Sequence, residues 1–217
     1  VTGSEGDEPA AERPSMRGTL HAWAVVPFAI AGAVLVAWSD PADMWPTLGY
    51  AVSVAACLGT SALYHRIDWS PQWYARMRRL DHAMIFVLIV GTWTPLCLVA
   101  CRGRDVSTLF VTLCVMAGIG VAMTLFWTTA PKWIRAVVYL AVGWMGLFVV
   151  PDLYASLGAQ GVGLLAAGGV LYSVGALAYA MQWPNPAPKV FGYHEILHAF
   201  VILGAGVHFA LVATAVI

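Results

Sequence analysis

Seven apolar stretches, each near the length that crosses a bilayer, dominate this 217-residue chain. They lie near 20–38, 46–65, 80–101, 106–127, 134–152, 160–181 and 194–217. About 20 apolar residues span a hydrocarbon core as an α-helix. Only 10% of the residues are Asp, Glu, Lys or Arg, against about 25% in a soluble domain. So few charges cannot solvate a globular surface. The expected fold is all-α, a seven-transmembrane helix bundle over residues 17–217. The fifth run is the weakest, because Pro151 and Asp152 cut into its end. Residues 1–16, VTGSEGDEPAAERPSM, are polar and rich in Glu, Pro and Gly, and they read as a disordered N-terminal tail. They lack the basic patch and short apolar run of a secretory signal, so the first run is expected to be a retained helix.

The basic residues orient the bundle. Arg13, Arg17, Arg66, Arg76, Arg78, Arg79, Lys132, Arg135 and Lys189 fall on one side of the seven runs, and only Arg102 and Arg104 on the other. The positive-inside rule then places the N-terminus in the cytoplasm and Ile217 outside. The net charge is zero and no basic cluster stands outside the short loops, which argues against a nucleic-acid partner. In the second loop, Ser70-Pro71 is a helix-start signal, and Trp69, Trp73 and Tyr74 suit the headgroup level. A short interfacial helix is expected there. The sixth run is crowded with Gly and Ala, which favours close helix packing. Cys57, Cys97, Cys101 and Cys114 lie in or at the ends of apolar runs and read as small buried hydrophobes. The CxxxC spacing of Cys97 and Cys101 puts both on one helical face, so a metal or redox role is the rival reading.

Polar residues inside a membrane are rare and usually functional, so their depths matter. His65 ends the second run, Asp81 begins the third, and His194 and His198 begin the seventh. Ser61 lies one turn below His65 on the same face. On the topology above, all five share one layer just inside the cytoplasmic leaflet. His194 and His198, at i and i+4, can reach one metal from one helix, and His65 can supply a third nitrogen. Three neutral imidazoles leave a fourth position for water, the arrangement of a catalytic zinc site. Asp81 is then the candidate base and Ser61 the candidate hydrogen-bonding hydroxyl. The rival is that these groups form a polar packing cluster without metal.

HEILH (194–198) also fits the H-E-x-x-H pattern, in which Glu195 would be the base of a zinc protease. No segment offers a peptide cleft, and Glu195 is read chiefly as an interfacial residue or one that supports the ligands. His208 lies about 15 Å deeper along the helix than His198 and cannot bind the same ion. It and His82 are read as structural, as is His21, with lining the site as the alternative for His21.

The segments SALYH (61–65), LDHAMIF (80–86) running to GTWTP (91–95), and HEILH (194–198) running to VHF (207–209), in that order, resemble the hemolysin III family. That family is the bacterial branch of the progestin and adipoQ receptor family. The resemblance implies a multi-pass protein of the bacterial cytoplasmic membrane, with seven helices. It implies zinc near the cytoplasmic face, held by His65, His194 and His198, with Asp81 and Ser61 at the family's aspartate and serine positions. Animal members are linked to ceramidase activity. The leading expectation is therefore a zinc-dependent hydrolase that cleaves an amide or ester bond of a membrane lipid. The rivals are a lipid sensor or receptor with structural zinc, and a membrane-lytic protein.

Overall fold

The computed structural model describes residues 14–101, 104–127 and 129–217, and all of its regular elements are helices. In order they are α1 (Thr19–Trp38), α2 (Met44–Arg66), α3 (Pro71–Pro95), a π-helical turn (Leu96–Ala100), α4 (Arg104–Phe126), α5 (Lys132–Gly143), a 3-10 turn (Trp144–Val149), α6 (Val150–Met181) and α7 (Tyr193–Val216). Large apolar side chains such as Ile30, Val111, Ile119, Phe148 and Val170 face outward along these helices. That outward apolar face matches a hydrocarbon solvent.

Six helical segments are long and apolar enough to cross a membrane, where seven were expected. The difference lies in Lys132–Met181, a 50-residue segment that holds the fifth and sixth runs with no loop between them. Pro151 and Asp152 do not end a helix. They sit in the first turn of α6, where proline has no hydrogen bond to lose and a carboxylate suits the helix dipole. The segment nevertheless doubles back. A straight helix of this length would measure about 75 Å, yet Lys132 Nζ lies 5.6 Å from the centre of the Tyr179 ring. The backbone departs from helical geometry at Gly158, with φ 63° and ψ −162°, a conformation essentially restricted to glycine.

The separate interfacial helix expected between the second and third runs is not separate. Ser70 and Pro71 start α3 itself, which continues to Pro95. The aromatic anchors occupy its start: the Trp69 indole N–H donates to the Leu63 carbonyl, and Tyr64 Oη donates to Tyr74 Oη. Of the expected tail, residues 1–13 lie outside the described residues. Its last two residues are tied down: the Ser15 N–H donates to the Lys189 carbonyl and the Met16 N–H to that of Val190.

α6 and α7 pair extensively, through small residues. A Cβ on Gly175 would stand 2.8 Å from Phe200 Cβ, one on Gly204 would stand 3.0 Å from the Tyr172 ring, and one on Gly168 would run into the His208 ring. Gly168 and Gly175 of the sixth run serve packing, as the run's composition suggested. Cys57, Cys97 and Cys101 are buried and Cys114 is partly buried, all as free thiols.

Gly158→Ala should destabilise the protein by about 1–3 kcal/mol through backbone strain. Gly163→Ala, on the same helix with nothing near its would-be Cβ, should be neutral or stabilising by up to about 1 kcal/mol. Thermal unfolding of the two variants in detergent checks the contrast.

Candidate metal centre

His65 occupies the last turn of α2, while His194 and His198 occupy the first two turns of α7. One ring nitrogen from each falls within 4.8 Å of the others. His65 Nε2 and His194 Nε2 are 3.2 Å apart. Two nitrogens on a tetrahedral zinc, each about 2.0–2.1 Å from it, would be about 3.3 Å apart. The three rings pack with centroids 4.6–5.1 Å apart. His194 and His198 are buried, and His198 Nδ1 has no hydrogen-bond partner. Three convergent imidazoles in a dry setting form a group that can hold a metal ion.

The remaining predicted residues surround this group. Asp81 Oδ2, about three turns into α3, is 4.0 Å from His65 Nε2. Ser61, one turn before His65 on α2, is buried and lines the same cavity as Asp81, His194 and His198. His21, at the start of α1, stacks on His198 with centroids 3.9 Å apart and planes 14° from parallel. It belongs to the site as a packing partner that fixes the His198 ring, the alternative its sequence position left open.

Glu195 has other work. Its side chain is fully buried, with Oε1 2.6 Å from Arg17 Nε and Oε2 accepting the Gly192 N–H at 2.8 Å. The second contact caps the start of α7, the N3 half of a capping box. With both oxygens engaged, Glu195 supports the helix that carries two of the histidines. The protease-like role for it has no geometric support. His82 is not part of the three-histidine group; it lines the same cavity, with its Nδ1 3.1 Å from Arg135 Nη1. His208 lies deep in the bundle, its Nε2–H donating to the Leu165 carbonyl.

Two arginines were read in the sequence only as loop charges. Arg17 pairs with Glu195 across 178 positions, and Arg135 is buried beside His82. For Arg17 a signal existed: an acid inside an apolar run requires a cation, and Arg17 stands at the same end of the bundle.

A cavity of about 340 Å³ opens from the histidines into the bundle. Along α3 it is lined from Asp81 to Trp93, about 18 Å at 1.5 Å per residue. Its walls there include Ile85, Leu88 and Ile89, facing Leu140, Leu147 and Val162.

Known proteins are similar to this chain in sequence. The sequence profile of a family described as "Haemolysin-III related" matches residues 10–209. The "Hemolysin-3 homolog" of Bacillus subtilis (strain 168) is 37% identical over 130 residues, which is 60% of this chain and 58% of that protein. The match thus spans less than two thirds of that relative's length. "Hemolysin-3" of Bacillus cereus is 33% identical over 162 residues, 74% of this chain and 70% of that protein. The "Heptahelical transmembrane protein ADIPOR2" of Oryza sativa subsp. japonica is 29% identical over 189 residues, 77% of this chain and 80% of that one.

Breaking a buried ion pair by removing one partner costs about 3–5 kcal/mol. Arg17→Ala should therefore lower stability by that order, with Glu195 left charged and enclosed. The Arg17→Met/Glu195→Gln double variant should recover much of the loss. Chemical unfolding of wild type, single and double variants in one detergent measures both effects.

Proposed function

The chain belongs to the haemolysin-III related family, and we propose that it is a zinc-dependent hydrolase of the membrane, cleaving an amide or ester bond of a lipid. One observation carries this reading. Three imidazoles that can hold a metal stand at one end of a long apolar cavity, next to a carboxylate and a hydroxyl. Three protein nitrogens with a fourth position open is the pattern of catalytic rather than structural zinc. Bound there, zinc would supply a Lewis acid for a carbonyl and acidify water toward a pKa of about 7.

The chain's own residues do the rest. The apolar wall from Ile85 to Trp93 takes an alkyl chain and excludes bulk water, so the carbonyl is held at the histidine end. Asp81 accepts the proton of the attacking water as its oxygen bonds to the carbonyl carbon. As the carbon–nitrogen or carbon–oxygen bond breaks, Asp81 returns that proton to the leaving group. Ser61 donates its hydroxyl hydrogen to the oxygen that gains charge. His21 keeps the His198 ring in place by stacking.

For topology, the doubled-back Lys132–Met181 segment is read as two crossings joined near Gly158, which makes seven. The distribution of basic residues supports a cytoplasmic N-terminus and an extracytoplasmic Ile217. The Bacillus relatives favour a bacterial cytoplasmic membrane. Their printed names speak of hemolysis, but a lytic pore would need polar groups at several depths. Here most of the expensive groups gather at one end, with His208 and Asp152 the exceptions.

Elemental analysis of the purified protein should find about one zinc per chain, lost in His65→Ala, His194→Ala and His198→Ala. Fatty acid should be released from N-acyl or O-acyl lipids. Asp81→Asn should keep the metal and lose about 10²–10⁴-fold in turnover. Turnover that survives chelation or Asp81→Asn would overturn the mechanism. Metal-dependent lipid binding without turnover across the lipid panel would favour a sensor instead.

A further inference from the structure

Arg135, in the first turn of α5, is 7% exposed and lines the cavity. Its one side-chain hydrogen bond is from Nη1 to His82 Nδ1, at 3.1 Å. Nε is buried with no partner. Among the described residues, Arg135 takes part in no ion pair within 4.0 Å. A guanidinium stays protonated in a protein. Enclosing one away from water without a counter-ion costs several kcal/mol. The hydrolase reading gives Arg135 no task.

The donors around Arg135 show what would offset that cost. A guanidinium can only donate, so His82 Nδ1 accepts, and the proton of the neutral ring lies on Nε2. Nε and the second terminal nitrogen of Arg135 form a fork that matches two oxygens of one oxyanion. Lys132 precedes Arg135 by three residues and so shares its side of α5. Its ammonium lies 2.9 Å from Tyr193 Oη and 5.1 Å from the centre of that ring. That sets a second cation against Tyr179 as well, 5.6 Å from the centre of a ring that lines the cavity. Two cations and several donors suit the three oxygens of a phosphate better than the two of a carboxylate. The apolar walls beyond them suit an alkyl chain.

We propose that Arg135, with Lys132, forms a binding site for the phosphate of a lipid whose alkyl chain enters the cavity. The site shares its cavity with the histidine group but uses other residues, and it stands whether or not hydrolysis occurs.

The test is equilibrium binding to the purified full chain in a neutral detergent, with four probes: dodecyl phosphate, dodecanoate, dodecanol and inorganic phosphate. Dodecyl phosphate should bind about tenfold or more tighter than dodecanol, as a charge-assisted hydrogen-bond pair allows. It should also bind tighter than dodecanoate and inorganic phosphate. R135Q should lose the preference for phosphate over alcohol and keep the affinity for dodecanol, which reports an intact cavity. R135K, the second variant should R135Q fail to fold, should retain part of the preference. Equal binding of dodecyl phosphate and dodecanol to the wild type, or a preference that persists in R135Q, overturns the site. Tighter binding of dodecanoate overturns the phosphate, and equal binding of inorganic phosphate overturns the lipid.

Discussion

The carboxylate of Glu195 fixes the end of the bundle on which the metal centre depends. An ionised acid with no exposure to water is tolerable only when paired and hydrogen-bonded. Here one oxygen takes the Arg17 guanidinium and the other takes the first backbone donor of α7. Together these contacts set where α7 begins and tie it to the chain entering α1. Once α7 starts at Tyr193, helical geometry puts His194 and His198 on one face. His65 then meets them only because α2 runs to Arg66 before it ends. The site is thus assembled from helix ends, and the pair that anchors one of those ends holds no metal itself.

The chemistry of that end was legible in the sequence because hydrocarbon penalises polarity. Ser61, His65, Asp81, His194 and His198 stand out against apolar neighbours, and run boundaries give each a depth. The structure gathers the three histidines and sets Asp81 beside them. Partnership across the bundle was harder to read. Arg17 and Arg135 stand at run ends, where solvated arginines are common, and nothing local distinguishes a buried one. His21 offered the same ambiguity, and only the packing of α1 against α7 brings its ring onto His198.

The helix count shows a different limit. Pro151 and Asp152 look like a break, yet both are at home in the first turn of a helix. The reversal falls instead near Gly158, in the gap between the fifth and sixth runs but inside α6, a helix that contains many glycines. Others there serve packing: Gly168 and Gly175 of α6, with Gly204 of α7, bring the two helices together, and a side chain on any of them would strike a neighbour. Gly158 has open space around it and a positive φ. Composition cannot separate a glycine needed for its missing side chain from one needed for its backbone freedom.

The start of α1 bears on how a substrate would arrive. Gly18 has φ 74°, and a Cβ there would collide with His65. The chain therefore passes flush against a candidate ligand and then follows residues 189–190 through backbone hydrogen bonds. Arg17 locks it to α7. At the end of the bundle that carries the histidines, this strap lies against His65 and α7. The cavity, by contrast, runs between α3, α5, α6 and α7 at membrane depth. A water-soluble substrate would have to displace a segment held by a buried ion pair, whereas a lipid entering sideways between helices would not. The hydrolase reading thus favours a membrane substrate for a steric reason independent of the residues that would carry out the chemistry.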